Sequence, residues 1–336
     1  MKMKNKVVGI GELLVRLTTE RGTKIRDAYG FKANYGGSEA NVIISLCHLG
    51  HEGSMLTRIA KDDLGMACVD YLVKHRVDVS NFVYDENPLG MYFVEEGEGA
   101  RASKVVYNRK YSAATKMQED DFDYEKAFKD ASILHISGIT LAISESARNT
   151  ALKAAKEAKR LGLKVSFDFN YRAKLMTVEE AKKIYPLIAS YADIVSASPW
   201  DIKTLLGFHP DETDNDKLFM NACEEFGFDY LFTKKRTILS ARSQSLKAFA
   251  YTKDSKVEGV ERKFEIFDRI GAGDAFTAGY LHGLLLDYND PLAAIDYGIA
   301  NCVLEQTIFG DNATFTHEDL LGYLATAGLE EVKRWT

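Results

Sequence analysis

Residues 132–169 read SILHISGITLAISESARNTALKAAKEAKRLGLKVSFDF, and this stretch decides the fold class. It opens on a β-rich run, Ser132 to Ile136. The run from Ser144 to Leu161 then places Ala147, Ala151, Ala155 and Ala158 on one helical face, with Lys and Arg opposite. Gly162 is suited to end that helix, because glycine adopts the left-handed backbone of a C-terminal cap. A second β-rich run, Lys164 to Phe169, follows at once. Strand, amphipathic crossover and strand make a βαβ unit, whose strands lie parallel with the helix on one face. Similar short runs at 6–10, 193–197 and 229–233 repeat the rhythm. The expected class is therefore α/β, with a doubly wound, mostly parallel sheet covered by helices on both faces.

Two segments break this alternation, 12–35 and 88–112. Both are rich in β-branched and aromatic residues without helical spacing, and Glu96-Gly97-Glu98-Gly99 sits between two strand-like runs as a hairpin turn would. The two segments are expected to form a small β-structured lid. The large domain then comprises 1–11, 36–87 and 113–336. No internal repeat or low-complexity linker separates the two.

The 336 residues, 46% hydrophobic and 27% charged, describe an ordinary globular chain. With 43 basic and 49 acidic side chains the net charge is -6, which argues against a nucleic-acid partner. The apolar stretch after the basic N-terminus is interrupted at Glu12 and Arg16, too soon for a secretory segment. No run approaches ~18 uninterrupted apolar residues, so no membrane span is expected. The four cysteines lack metal or disulfide spacing and read as reduced thiols of a cytoplasmic protein. His135, inside a strand pattern, reads as a core residue.

Chemistry concentrates in Asp268-Arg269-Ile270-Gly271-Ala272-Gly273-Asp274, which precedes an apolar helical pattern. Gly271, Ala272 and Gly273 let successive N–H groups turn toward one point at a helix N-terminus, making an anion hole. Asp274 in the first helical turn could take a proton from a hydroxyl beside that anion, or it could simply cap the helix. A second constellation, Tyr35-Gly36-Gly37-Ser38-Glu39-Ala40-Asn41, puts two glycines before a helix carrying Asn41 in its first turn. Gly36, Gly37 and Asn41 suit close approach to a polyhydroxylated ligand.

On these two motifs the chain resembles the ribokinase-like carbohydrate kinases, the pfkB family, over essentially its whole length. The resemblance implies ATP as phosphoryl donor and Mg²⁺ between the phosphates, and it leaves open a monovalent cation near Asp268 and a homo-oligomer paired through the lids. Within the family, three stretches resemble the 2-keto-3-deoxygluconate kinases: 106–113 with Tyr107 and Arg109, 134–140, and Asp168-Phe169-Asn170-Tyr171-Arg172. On a strand, Tyr107 and Arg109 share a face. Arg109 and Arg172 together suit a carboxylate better than a neutral sugar. By resemblance Tyr92 also touches the sugar acid.

The nucleotide side departs from the family pattern. Ser198-Pro199-Trp200-Asp201 stands where many relatives carry Asn-x-x-Glu, with Asp201 as the shorter substitute. The segment 233–239 has no glycine, and is expected to be a loop whose Lys234 or Lys235 contacts phosphate. Asn170 and Ser198 are assigned to the same side, and Asn301 to the adenine site by analogy. No metal-ligand set is assigned. The reading is an ATP-dependent kinase of a sugar acid, most simply 2-keto-3-deoxygluconate phosphorylated at its 6-hydroxyl. Fructokinase or ribokinase activity, or a regulator that binds sugar and nucleotide without turnover, are the alternatives.

Overall fold

A computed structural model describes residues 5–97, 101–240 and 242–326. Met1–Lys4, where the expected large domain begins, and Glu98-Gly99 of the expected hairpin turn lie outside the described residues. The βαβ unit forms as the sequence reading requires. Strand Ala131–Ser137 leads through helix Glu145–Arg160 to strand Lys164–Asp168, and the two strands are parallel neighbours. The Ser144 side chain accepts from the Ala147 N–H to cap the helix, and Gly162 follows its end at φ +83°. His135 is buried, with Nδ1 3.0 Å from Ser166 Oγ.

Across the large sheet the parallel run is Tyr230–Ile238, Ile194–Ser196, Lys164–Asp168, Ala131–Ser137, Lys6–Ile10, Glu52–Ala60 and Val77–Asp78. Phe82–Asp85 extends the pairing of Glu52–Ala60. One edge is antiparallel: Ser243–Tyr251 pairs with Tyr230–Ile238, and Lys256–Glu258 and Arg262–Glu265 pair with Ser243–Tyr251. Two apolar cores lie on opposite faces. One packs the alanine face of Glu145–Arg160 with Ala181, Ile184, Leu218 and Phe219. The other packs Val42, Ile43, Leu72, Phe276, Leu281 and Ile299.

The expected loop at 233–239 is a correction. Residues 233–238 continue strand Tyr230–Ile238, held in register from Leu231↔Tyr251 to Ile238↔Gln244. Alternating side chains and a pairing partner, neither visible as a turn signal, make the missing glycines unnecessary.

Segments 12–36 and 88–112, one residue past the expected boundary at 35, supply a separate four-stranded sheet in the order Lys32–Gly36, Leu14–Thr18, Gly90–Glu95, Lys104–Asn108. The outer pairs are antiparallel and the central pair is parallel. One row of register partners crosses this sheet: Asn34, Arg16, Tyr92 and Tyr107.

Candidate active site

A cleft of about 510 Å³ lies where the carboxyl ends of Lys164–Asp168 and Ile194–Ser196 meet the small sheet and the start of helix Ala272–Leu286. Open α/β sheets bind ligands at such an edge. Gly271 caps the helix at φ +104°, and a Cβ there would stand 2.2 Å from the Asp311 carbonyl oxygen. Backbone conformation and close approach both demand glycine. The first intrahelical bond runs from Ala275 N–H to Gly271 O at 2.8 Å. The N–H groups of Ala272, Gly273 and Asp274 therefore have no place in the helix's own ladder. A Cβ at Gly273 would meet nothing within 4 Å, so this glycine leaves open space at the positive end of the helix dipole.

Asp274 stands half-buried beside that space. Its Oδ2 accepts from Asn41 Nδ2 at 2.7 Å, and its Oδ1 accepts from Ser38 Oγ at 3.3 Å. Asn170 Nδ2 in turn donates to Ser38 Oγ at 2.8 Å. Desolvation raises the Asp274 pKa to about 7, against the lowering effect of the Asn41 hydrogen bond, with the Asp168 charge raising it further. A carboxyl poised near neutrality suits a general base. Helix Ser38–His48 presents Asn41 because Gly37 packs tightly: a Cβ there would stand 2.0 Å from Glu12 O. The Gly37 N–H donates to Asn41 Oδ1 at 3.1 Å. Gly36 acts one layer back, since its Cβ would meet Asn41 Oδ1 at 2.4 Å.

The small sheet supplies the opposite wall. Tyr107 and Arg109 both line the cleft, with the guanidinium carbon 5.9 Å from the tyrosine ring centroid. Arg109 is not a free cation. Its Nε donates to Glu12 Oε2 at 2.7 Å, its Nη2 reaches the same oxygen, and Ser112 Oγ donates to Glu12 Oε1. Both partners are buried, at 8% and 1% side-chain exposure. This corrects the expectation of two arginines available to a carboxylate. Arg172 alone remains: it is exposed at the cleft, donates to the carbonyls of Asn170 and Tyr171 at 3.4 and 3.1 Å, and has no ion-pair partner among the described residues. Tyr92 lines the cleft while its hydroxyl donates to Asp311 Oδ2.

On the nucleotide side, Asn170, Ser198 and Lys234 line the cleft, as does Asp201, which accepts from the Ser198 N–H at 2.7 Å. Lys234 and Gly273 also line an adjoining 300 Å³ cavity with Arg236, Gln244, Phe264 and Ala272. Lys235 does not join them: strand alternation turns it to the other face, where it is exposed. Asn301 is also misplaced by analogy. It is wholly buried between helices, with Nδ2 donating to Ser45 Oγ at 2.9 Å and Ala275 O at 2.7 Å.

Sequence reasoning passed over Glu12, Ser38, Asp168 and Asp311 as site residues, all of which line the cleft. Glu12 did carry a signal, as a charge inside an apolar run. The 134–140 stretch serves mainly to hold buried Glu39, whose Oε1 accepts from Ser137 N–H, Ser137 Oγ and Thr140 Oγ1 at 3.0, 2.7 and 2.6 Å. At Asp268, Arg16 Nη2 donates at 2.7 Å, so a monovalent cation there would compete with a guanidinium. No helix among the described residues is long and apolar enough to cross a membrane.

The chain is 32% identical over 310 residues to a 2-dehydro-3-deoxygluconokinase of Thermoproteus tenax, covering 91% of this chain and 90% of that protein. It is 28% identical over 319 residues to a 2-dehydro-3-deoxygalactonokinase of Haloferax volcanii, covering 95% and 96%. The crystal structure of a 2-dehydro-3-deoxygluconokinase from Thermotoga maritima superposes with a TM-score of 0.90 at 30% identity, covering 95% of this chain and 99% of that one. Residues 4–307 match the pfkB family carbohydrate kinases, and on this match and these relatives the chain belongs to that family.

Proposed function

We propose that this protein transfers the γ-phosphoryl group of ATP to a hydroxyl of a sugar acid, with 2-keto-3-deoxygluconate and its 6-hydroxyl as the leading case. The carrying observation is the pairing, in one cleft, of Asp274 beside the open helix N-terminus with an Arg172 guanidinium that lacks a carboxylate. The names of the relatives above point to the same substrate class.

The residues present fit a nucleotide: open space over Gly273 for phosphate, Lys234 beside it, and a cavity beyond. They also fit Mg²⁺. Asp168 and Asp201 offer hard oxygen ligands at the cleft, the donor type Mg²⁺ takes alongside phosphates and water. Bound Mg²⁺ would offset the negative charge of the phosphates.

The chain's own groups do the rest. Asn41 and Ser38 orient Asp274, which takes the hydroxyl proton as the oxygen attacks phosphorus. The N–H groups of Ala272, Gly273 and Asp274 stabilise charge on the group in transfer. Arg172 holds the substrate carboxylate, and Tyr107 covers the sugar. The small sheet acts as a lid that excludes water from the phosphates.

The test is ADP release with 2-keto-3-deoxygluconate, its galactonate epimer, fructose and ribose, for wild type and Asp274→Asn. A buried charge left unpaired costs about 2–5 kcal/mol, and Arg172 is exposed, so an acid preference of at least ~10-fold is expected. Asp274→Asn should lower kcat by about 10²–10⁴-fold. A neutral sugar as best substrate would refute the carboxylate assignment. Sugar and nucleotide binding without any turnover would show a regulator instead.

A further inference from the structure

Arg16 lies on strand Leu14–Thr18 of the small sheet, wholly buried and outside the cleft lining. Its Nη2 donates to Asp268 Oδ2 and its Nη1 to Asp311 Oδ1, both at 2.7 Å, while Nε donates to Thr18 Oγ1 at 2.9 Å. The Phe309 ring packs 5.1 Å from the guanidinium carbon. Every arm of the fork is used, and its two carboxylates belong to the two segments that meet at the anion hole.

Each carboxylate then carries the contact onward. Asp268 Oδ1 accepts from the Ile270 N–H at 3.2 Å and Oδ2 from the Gly310 N–H at 3.3 Å, bracing the turn into Gly271 against the 310–311 segment. Asp311 offers its backbone carbonyl as the surface against which Gly271 packs, and its Oδ2 as acceptor for the Tyr92 hydroxyl. Tyr92 is the register partner of Arg16, and Tyr107 is the register partner of Tyr92. A single row thus runs from the buried ion pairs to the wall of the cleft.

We propose that Arg16 is a positioning residue that couples the sugar-facing side of the small sheet to the anion hole, through Asp268 on one arm and Asp311 with Tyr92 on the other. Sugar held against Tyr92 and Tyr107 and phosphate held at Gly271–Asp274 then favour the same arrangement of one rigid network. Without the guanidinium, the buried carboxylates of Asp268 and Asp311 lose their shared counter-charge, and the Gly271 turn loses its brace. Displacements of about 1 Å at a reacting centre cost on the order of 10²-fold in rate. The inference rests on the kinase activity proposed above.

The experiment compares wild type, Arg16→Met, Arg16→Lys and Asp311→Asn for kcat and KM, and for the change in sugar Kd caused by a non-hydrolysable ATP analogue. Wild type should bind its sugar several-fold more tightly with the analogue present, whereas Arg16→Met should show a factor near one. Its kcat should fall by about 10²-fold, with the KM for ATP within about threefold of wild type. Arg16→Lys should recover part of the kcat, since an ammonium cannot serve both carboxylates in one plane. Adding Tyr92→Phe to Arg16→Met should bring little further loss, because both act through Asp311. Should Arg16→Met fail to fold, Asp311→Asn keeps the Asp268 pair and is expected to lose the sugar–analogue coupling alone. A folded Arg16→Met or Asp311→Asn that keeps wild-type coupling and kcat overturns the proposal. So do independent, multiplying losses with Tyr92→Phe. Wild type that binds sugar and analogue with coupling but never turns over refutes the kinase reading, and the coupling measurements still decide the role of Arg16.

Discussion

The Asn41 hydrogen bond opposes the rise that burial imposes on the Asp274 pKa, so Asn41→Ala should move the acid limb of the pH–rate profile. Burial places the Asp274 pKa at about 7 even though the Asn41 hydrogen bond, 2.7 Å long, lowers it. The protonated carboxyl cannot accept the substrate proton, so activity is lost as pH falls through the pKa. In wild type, kcat/KM should drop roughly tenfold per unit below about pH 7. A hydrogen bond to a charged acceptor contributes about 1.5–3 kcal/mol, and one pKa unit corresponds to about 1.4 kcal/mol. Removing the Asn41 amide should therefore raise the limb by about 1–2 units. The assay is coupled ADP release at subsaturating sugar from about pH 5.5 to 9.5, with coupling enzymes in excess at each pH. Lost sugar contacts would lower the whole profile, whereas the pKa effect slides it along the pH axis. An acid limb that stays in place, or moves to lower pH, would refute the assignment of Asp274 as the base held down by Asn41.

Arg109→Leu should cost about 3–5 kcal/mol of stability, because it strands buried Glu12 without its counter-charge, and adding Glu12→Gln should recover most of that loss in urea unfolding. A loss below about 1 kcal/mol would mean the pair is not a buried structural one. Lys234→Ala should raise the KM for ATP with that for sugar unchanged, while Lys235→Ala should alter neither, since only Lys234 reaches the cleft. Equal effects of the two substitutions in initial-rate measurements would contradict the strand register.

Local patterns were enough wherever a property depends on neighbours in the chain. The βαβ unit at 132–169 follows from periodicity and a glycine stop, and the open helix N-terminus from the small residues Gly271, Ala272 and Gly273 at the start of an apolar helix. Asp274 and Asn41 could be picked out because each occupies the first turn of a helix beside glycines. The nucleotide side was less legible. Lys234 and Lys235 are indistinguishable until a partner strand turns 233–238 into β-structure and its alternation separates them. Asn301 looked available only because helix packing, which buries it against Ser45 and Ala275, joins elements far apart in sequence.

Charge pairing shows the division most sharply. The sequence by itself determined the fold class, the places of the glycines and which titratable groups exist, since these rest on backbone conformation and short-range periodicity. Only the tertiary structure decided which charges stay available. Glu12 neutralises Arg109 from 97 residues away, and Asp268 and Asp311 take up Arg16 across 252 and 295 residues. Arg172 is left at the cleft without a carboxylate partner among the described residues. The physical reason is that a buried charge is stable only beside its counter-charge, and that partner is chosen by proximity in space, which no local pattern encodes.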